Sequence, residues 1–292
     1  MLANIDLKGI VSHVEKKIDE WDSMTTKQRA KVKIDRESSE YRFWADNQSA
    51  RDTMMNVLRQ KRFKGLKVIK TEGSVTGRQC IAALGSKNKV PKRVGRGAYG
   101  EVFEHPKDPK RILKIISDYR GDPDTSLREA EITKKASQLG VAPKFHGMSV
   151  CCGTQELKSK RCMLILEMAS LKMPLHEWIS KKERSKAEKE KMLDKIEALL
   201  KKLHGAGIKH NDIHGGNVMI DGKGQPFIID FGLATDSANQ TALKVRPGLE
   251  KENATWIAND MDHRIIREFR DEEMNDMMDF LVDSIAKETK IS

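Results

Sequence analysis

The chain has 292 residues, 38% of them apolar and 33% charged, and 54 basic against 43 acidic side chains leave a net charge of +11. That is apolar material for one large core or two small ones, and it excludes a disordered or collagen-like chain. No apolar run approaches the ~18 residues of a membrane span, and Cys80, Cys151, Cys152 and Cys162 form no CxxC pair of the zinc-knuckle kind.

The opening stretch, MLANIDLKGIVSHVEKK, places Asp6, Lys8 and Glu15 where a secretory leader needs unbroken apolar residues. An intracellular, cytoplasmic protein with four reduced thiols is therefore expected, although leaderless export or packaging in a virion leaves no mark in such a sequence. Charge is uneven. Residues 1–90 hold 19 basic and 11 acidic side chains, so the first third carries most of the excess.

Residues 1–70 read mainly as helix. Val11, Val14, Ile18 and Trp21 form one apolar stripe, Asp22 to Glu40 interrupts it, and a second helix over Ser49–Arg62 turns Met54, Met55 and Leu58 inward. Arg59–Lys70 holds six basic residues and no acid. It suits a phosphate backbone or an acidic protein, or else the solvated face of an extension that braces the next domain. A boundary is placed near residues 85–90, giving a basic, mostly helical region over 1–88 and a second domain over 89–292.

From residue 89 the texture changes. KVPKRVGR, GEVFEH and RILKIIS read as short strands with turn signals between them. Thr125–Leu139 reads as helix, Lys144–Val150 and Cys162–Met168 as strands, and Leu175–Lys182 and Glu188–His204 as helices. Strands followed by helices predict an α+β protein with a small antiparallel β lobe (89–168) and a helical lobe (169–292). Trp256, Ile257, Ile265, Ile266 and Phe269, then Met277, Phe280, Leu281 and Ile285, read as packing residues of a helical tail.

Four motifs follow in order. Gly95, Gly97 and Gly100 form a GxGxxG between two strands, where backbone N–H groups can approach phosphates. Lys114 sits inside an apolar strand and needs an anion if buried. His210, Asp212 and Asn217 form an HxDxxxxN after a helix, and Asp230 opens a DFG after an apolar strand. Together these resemble the eukaryotic-like serine/threonine protein kinase family, over about Val90 to Ala234.

The resemblance implies a two-lobed kinase fold and an enzyme using ATP with Mg²⁺, or Mn²⁺ in its place. Gly95, Gly97, Gly100 and Val102 would cover the nucleotide, and Lys114 would hold its phosphates. Asn217 and Asp230 would bind metal, and Asp212 would take the substrate hydroxyl's proton. Glu167 and Met168 would sit at the hinge beside the adenine, by their backbone. A helix glutamate should pair with Lys114. Glu129 lies in register with Ile132 and Ala136, whereas Glu131 points about 200° away, so Glu129 is chosen.

Departures narrow the picture. Asn211 stands where many regulated kinases have Arg, which argues against a loop-phosphate switch. His214 stands where Lys is usual near the γ-phosphate; His here is similar to aminoglycoside and choline phosphotransferases and implies a catalytic residue donating one hydrogen bond, the alternative being a structural histidine of the loop. No APE motif follows the DFG, as in small atypical kinases with a truncated helical lobe. The leading expectation is γ-phosphate transfer to Ser or Thr of a protein, including the chain itself at Thr235, Ser237 or Thr241. The alternatives are a small-molecule phosphotransferase and an ATPase module of a larger complex.

Overall fold

The structure is a computed structural model that describes residues 7–29, 31–71, 75–85, 91–96, 100–117, 123–153, 162–236 and 277–287. Gly97, Ser237, Thr241 and the tail residues Trp256, Ile257, Ile265, Ile266 and Phe269 lie outside them.

The chain opens with helices α1 (Leu7–Ser23), α2 (Thr26–Arg29), α3 (Ser39–Asp46) and α4 (Gln48–Arg62). Ser38 and Asn47 cap α3 and α4 by accepting from the backbone N–H of Tyr41 and Ala50. The expected stripe is inward: Val14 and Ile18 are fully buried on α1, and Met54 and Leu58 face them from α4. A further helix, α9 (277–287), completes this cluster with Met277, Phe280, Leu281 and Ile285. Tyr41 Oη donates to Asp279 at 2.7 Å, and Arg36 pairs with the same carboxylate. The tail helix thus packs on the opening helices rather than within the lobe formed by residues 169–236.

A six-stranded sheet forms the upper lobe, in the order β1-β5-β6-β4-β3-β2. Its strands are β1 (Lys67–Thr71), β2 (Arg93–Arg96), β3 (Gly100–Glu104), β4 (Arg111–Ser117), β5 (Phe145–Gly153) and β6 (Cys162–Ala169). Five are antiparallel neighbours as expected. The sixth, β1, pairs parallel with β5 and comes from a stretch read as part of the helical region. Helix α5 (Gly77–Leu84), opened by a Thr76–Gln79 capping box, covers one face of the sheet with Cys80 and Ile81 against Phe103, Ile115 and Ile165. Helix α6 (Pro123–Gln138) covers the other, with Ala130 against Ile116, Leu164 and Leu166. The sheet lobe therefore draws on residues on both sides of the boundary expected near 85–90.

The cysteines correct an expectation. Cys80 is bonded to Cys151 and Cys152 to Cys162, so no thiol is free. Adjacent residues of a strand point to opposite faces. Cys151 therefore meets α5, and Cys152 meets its cross-strand partner on β6. Adjacency thus gives each of the two cysteines a different partner.

The lower lobe holds β7 (Met173–Pro174), α7 (Leu175–Ser180), α8 (Lys186–Gly205), β8 (Val218–Ile220) and β9 (Pro226–Ile228), with a 3₁₀ turn at Phe231–Leu233. A Ser185–Glu188 capping box starts α8, and Gly207, with φ of 76°, follows its end in a conformation glycine adopts freely. Two small cores flank the hairpin, one around Ile196 and Val218 and one around Leu203, Ile228 and Phe231. The α+β, two-lobed architecture is as expected. No described helix is long and apolar enough to cross a membrane.

Candidate active site

Strand alternation sorts β4. Leu113 and Ile115 join the core under α5, and Ile112, Lys114 and Ile116 face the other way. Lys114 lies opposite Val102 on β3 and Leu166 on β6. Its Nζ is 2.6 Å from Oε1 of Glu129 and 2.8 Å from Oδ1 of Asp230. Glu129 is only 4% exposed, on the inward face of α6 with Ile132 and Ala136, and Glu131 is exposed. Burial disfavours charge on Lys114, but Glu129 and Asp230 outweigh it and hold its pKa above the usual lysine range. Burial likewise opposes ionisation of Asp230, and Lys114 reverses this, so its carboxyl lies below the usual range. One ammonium thus joins a sheet strand, a helix and the DFG segment.

The loop after α8 supplies the other half. His210, 1% exposed, donates from Nε2 to the Ile229 carbonyl at 2.9 Å, and its Nδ1 accepts the Asp212 N–H at 3.3 Å. Burial lowers its pKa to about 4, so it is a neutral strut between the loop and the strand before Asp230. The Asn217 amide nitrogen donates to the Asp212 carbonyl at 2.9 Å and to its Oδ2 at 3.0 Å, which fixes the Asp212 carboxylate. The remaining Asn217 oxygen accepts no hydrogen bond among the described residues. With Asp230 it supplies hard oxygen donors of the kind Mg²⁺ takes beside phosphate oxygens, so the residues present fit the ion.

Two residues here, Asn211 and Asp230, have positive φ, 63° and 64°. For residues bearing a Cβ such backbone costs roughly 1–3 kcal/mol and persists only where its surroundings enforce it. Asn211 explains part of the enforcement. Its amide donates to the Leu233 carbonyl at 3.1 Å and to Thr235 Oγ1 at 3.2 Å, beside a Lys209–Thr235 bridge. In the sequence Asn211 reads as a missing arginine and His210 as part of a spacing. Both are structural members of the site, and only their place in the HxDxxxxN stretch signalled it. Thr235 is buried and bonded, unlike the loop hydroxyl expected there.

The remaining predicted residues divide. Val102 lies beside Lys114. A Cβ on Gly95 would make only ordinary contact with Val102, at 3.6 Å. At Gly100 it would come within 2.1 Å of the Ile115 carbonyl oxygen, so this glycine serves the close approach of β3 to β4. Glu167 is directed to Arg111, at 2.6 Å, on the sheet face opposite Lys114, and Met168 is buried in the core beside α6. His214 Nδ1 accepts from the Gly216 N–H at 3.1 Å, and its Nε2 is 3.8 Å from Asp212, beyond hydrogen-bond reach.

Half of the basic run is engaged internally. Lys61 pairs with Asp19, and Arg62 bonds both Asp22 and Asp124. Lys64, Lys67 and Lys70 are exposed but unaccompanied by aromatic residues. Contact with nucleic acid or an acidic partner through this run is not supported.

The family model described as the protein kinase domain matches residues 89–258. Among curated proteins, the chain is 24% identical over 211 residues to the interferon-induced, double-stranded RNA-activated protein kinase of Rattus norvegicus, covering 67% of this chain and 40% of that one. It is 30% identical over 156 residues to the serine/threonine-protein kinase PknD of Chlamydia muridarum (48% and 16%). It is 27% identical over 184 residues to PknA of Mycobacterium tuberculosis (60% and 41%). The chain thus spans about two fifths or less of the length of these relatives. The matched stretch holds the whole Lys114–Glu129–Asp230 junction and the loop carrying Asp212 and Asn217, and it exceeds half the chain; the chain belongs to the protein kinase family.

Proposed function

We propose that the chain is an ATP- and Mg²⁺-dependent protein kinase acting on Ser and Thr hydroxyls, its own among them. The observation that supports this most is the position of Lys114 Nζ between Glu129 and Asp230. It places a charged donor where the two lobes meet, next to an Asp–Asn loop.

In this reading Lys114, kept charged by its two carboxylates, binds the α and β phosphates. Asp212, fixed by both Asn217 bonds, orients the attacking hydroxyl and accepts its proton, a contribution of roughly 10²–10⁴-fold. Asn217 and Asp230 would hold Mg²⁺, which supplies charge neutralisation for the phosphates when bound. His210 and Asn211 keep the loop and the DFG segment in one rigid piece, so positioning needs no reorganisation when substrate binds. The Asn211 tie to Leu233 and Thr235 also does locally what a loop phosphate would otherwise do.

The test is a labelled-ATP assay of wild type beside Asp212→Asn and Lys114→Met, with phosphosite mapping. Phosphoserine or phosphothreonine should form with wild type alone. Phosphate release with no phosphoprotein, or transfer only to amino-sugars or choline, would overturn the reading.

A further inference from the structure

The segment that leaves α4 makes three attachments within ten residues. Arg62 reaches α6, with Nε at 2.6 Å from Oδ1 of Asp124 in the first turn of that helix. Its two Nη atoms hold the Asp22 carboxylate at the end of α1. Phe63, 8% exposed, enters the core beside Leu127 and Ala130 of α6 and Leu164 and Leu166 of the sheet. Residues 67–71 then ladder onto β5. Residues 62, 63 and 67–71 are thus tied to α6, to the α6–sheet seam and to the sheet itself. Such a triangle sets where α6 stands relative to β4.

What depends on that relation is the Lys114–Glu129 pair, since the lysine is on β4 and the glutamate on α6. Asp124 and Glu129 are five residues apart, about 7.5 Å along the axis. A rigid helix held at its first turn by Arg62 therefore carries Glu129 to a fixed point about 1.4 turns on. The anchor is itself anchored. Asp22 belongs to α1, α1 packs on α4, and α9 closes the same core.

We infer that Arg62 is a positioning residue for the proposed phosphoryl transfer: with Phe63 it pins α6 so that Glu129 stays on Lys114. This rests on the kinase reading above. Arg62 touches no reacting atom, and its action passes entirely through Glu129.

The experiment is steady-state kinetics of the full chain with ATP varied, for Arg62→Ala, Arg62→Lys, Asp124→Asn, Glu129→Gln and the double variant Arg62→Ala/Glu129→Gln. Loss of a charge-assisted bond of this kind should lower kcat/KM for ATP by about tenfold or more. Arg62→Lys, which keeps the charge, should recover part of it. In the Glu129→Gln background, Arg62→Ala should cost less than about twofold, because the group it positions is gone. An equal loss in both backgrounds, or full activity of both Arg62→Ala and Asp124→Asn, would overturn the inference. Asp124→Asn leaves the Arg62–Asp22 pair in place, so it serves if Arg62→Ala fails to fold. Amide hydrogen exchange separates this inference from the kinase reading. Faster exchange across α6 with unchanged α8 in Asp124→Asn supports the brace even if wild type transfers no phosphate, and unchanged α6 exchange opposes it.

Discussion

Replacing Lys114 by Met should destabilise the fold as well as abolish transfer, and the two losses can be separated. Lys114 sits 2.6 Å from Glu129 and 2.8 Å from Asp230. At an effective dielectric of about 20 each contact is worth roughly 6 kcal/mol of gross attraction, and desolvation of all three groups offsets much of it. Removing the cation does not return that desolvation. The Asp230 side chain is 36% exposed and can rehydrate, whereas that of Glu129, at 4%, cannot. Stranding one buried carboxylate costs about 3–5 kcal/mol. At about 2 °C per kcal/mol for a protein of this size, the melting temperature should fall by roughly 6–10 °C. The double variant Lys114→Met/Glu129→Leu removes the stranded charge and should regain most of that fall while remaining inactive. Thermal unfolding followed by circular dichroism reads both. A single variant that melts within about 2 °C of wild type, or a double variant that melts lower still, would refute the argument.

Three further outcomes are expected. His210 titrates at about 4 when folded against about 6.5 unfolded, so the unfolded chain binds the extra proton between those values. Stability should therefore be full above pH 6.5 and decline by about 3 kcal/mol on going down to pH 4, and urea melts of His210→Gln should show a flatter acid limb. Gly100→Ala drives a Cβ into the Ile115 carbonyl and should cost at least about 1–3 kcal/mol, whereas Gly95→Ala should melt like wild type; comparable melting of the two would count against the packing role. Thiol alkylation of the unreduced protein should label no cysteine. The Cys80–Cys151 bridge spans 71 residues, so reduction should lower stability by about 4 kcal/mol through the freed loop, and dense labelling without reductant would contradict the pairing.

The parts of the molecule that were legible in the sequence are those specified locally. The stripe of Val14, Ile18 and Trp21 announces its helix because the 3.6-residue period is written into the side chains themselves. Glu129 could be preferred to Glu131 on the same ground. Lys114, Asp212, Asn217 and Asp230 were recognisable together because short loops and strand ends fix their spacing. What escaped notice is non-local. KVIKT lies in a cationic run, and only β5, some eighty residues later, makes it a strand. Thr76 and Gln79 carry a capping-box signal for α5 that the reading of residues 1–88 does not single out. The cysteine pairing needed the face of each strand residue, and Arg62 looked like one more surface charge until Asp22 and Asp124 were seen to converge on it.

The shared core of α1, α4 and α9 has a consequence for biosynthesis. More than two hundred residues separate Arg62 from the start of α9, which at ordinary translation speeds is a delay of roughly 10–40 s. Through that interval the apolar stripe of Ile18, Met54 and Leu58 lacks the helix that seals it. The core behind the Arg62 clasp is then the last to close, and a ribosome that stops before residue 277 releases a chain whose cleft residues and clasp contacts are all present but whose α1–α4 core lacks its third helix.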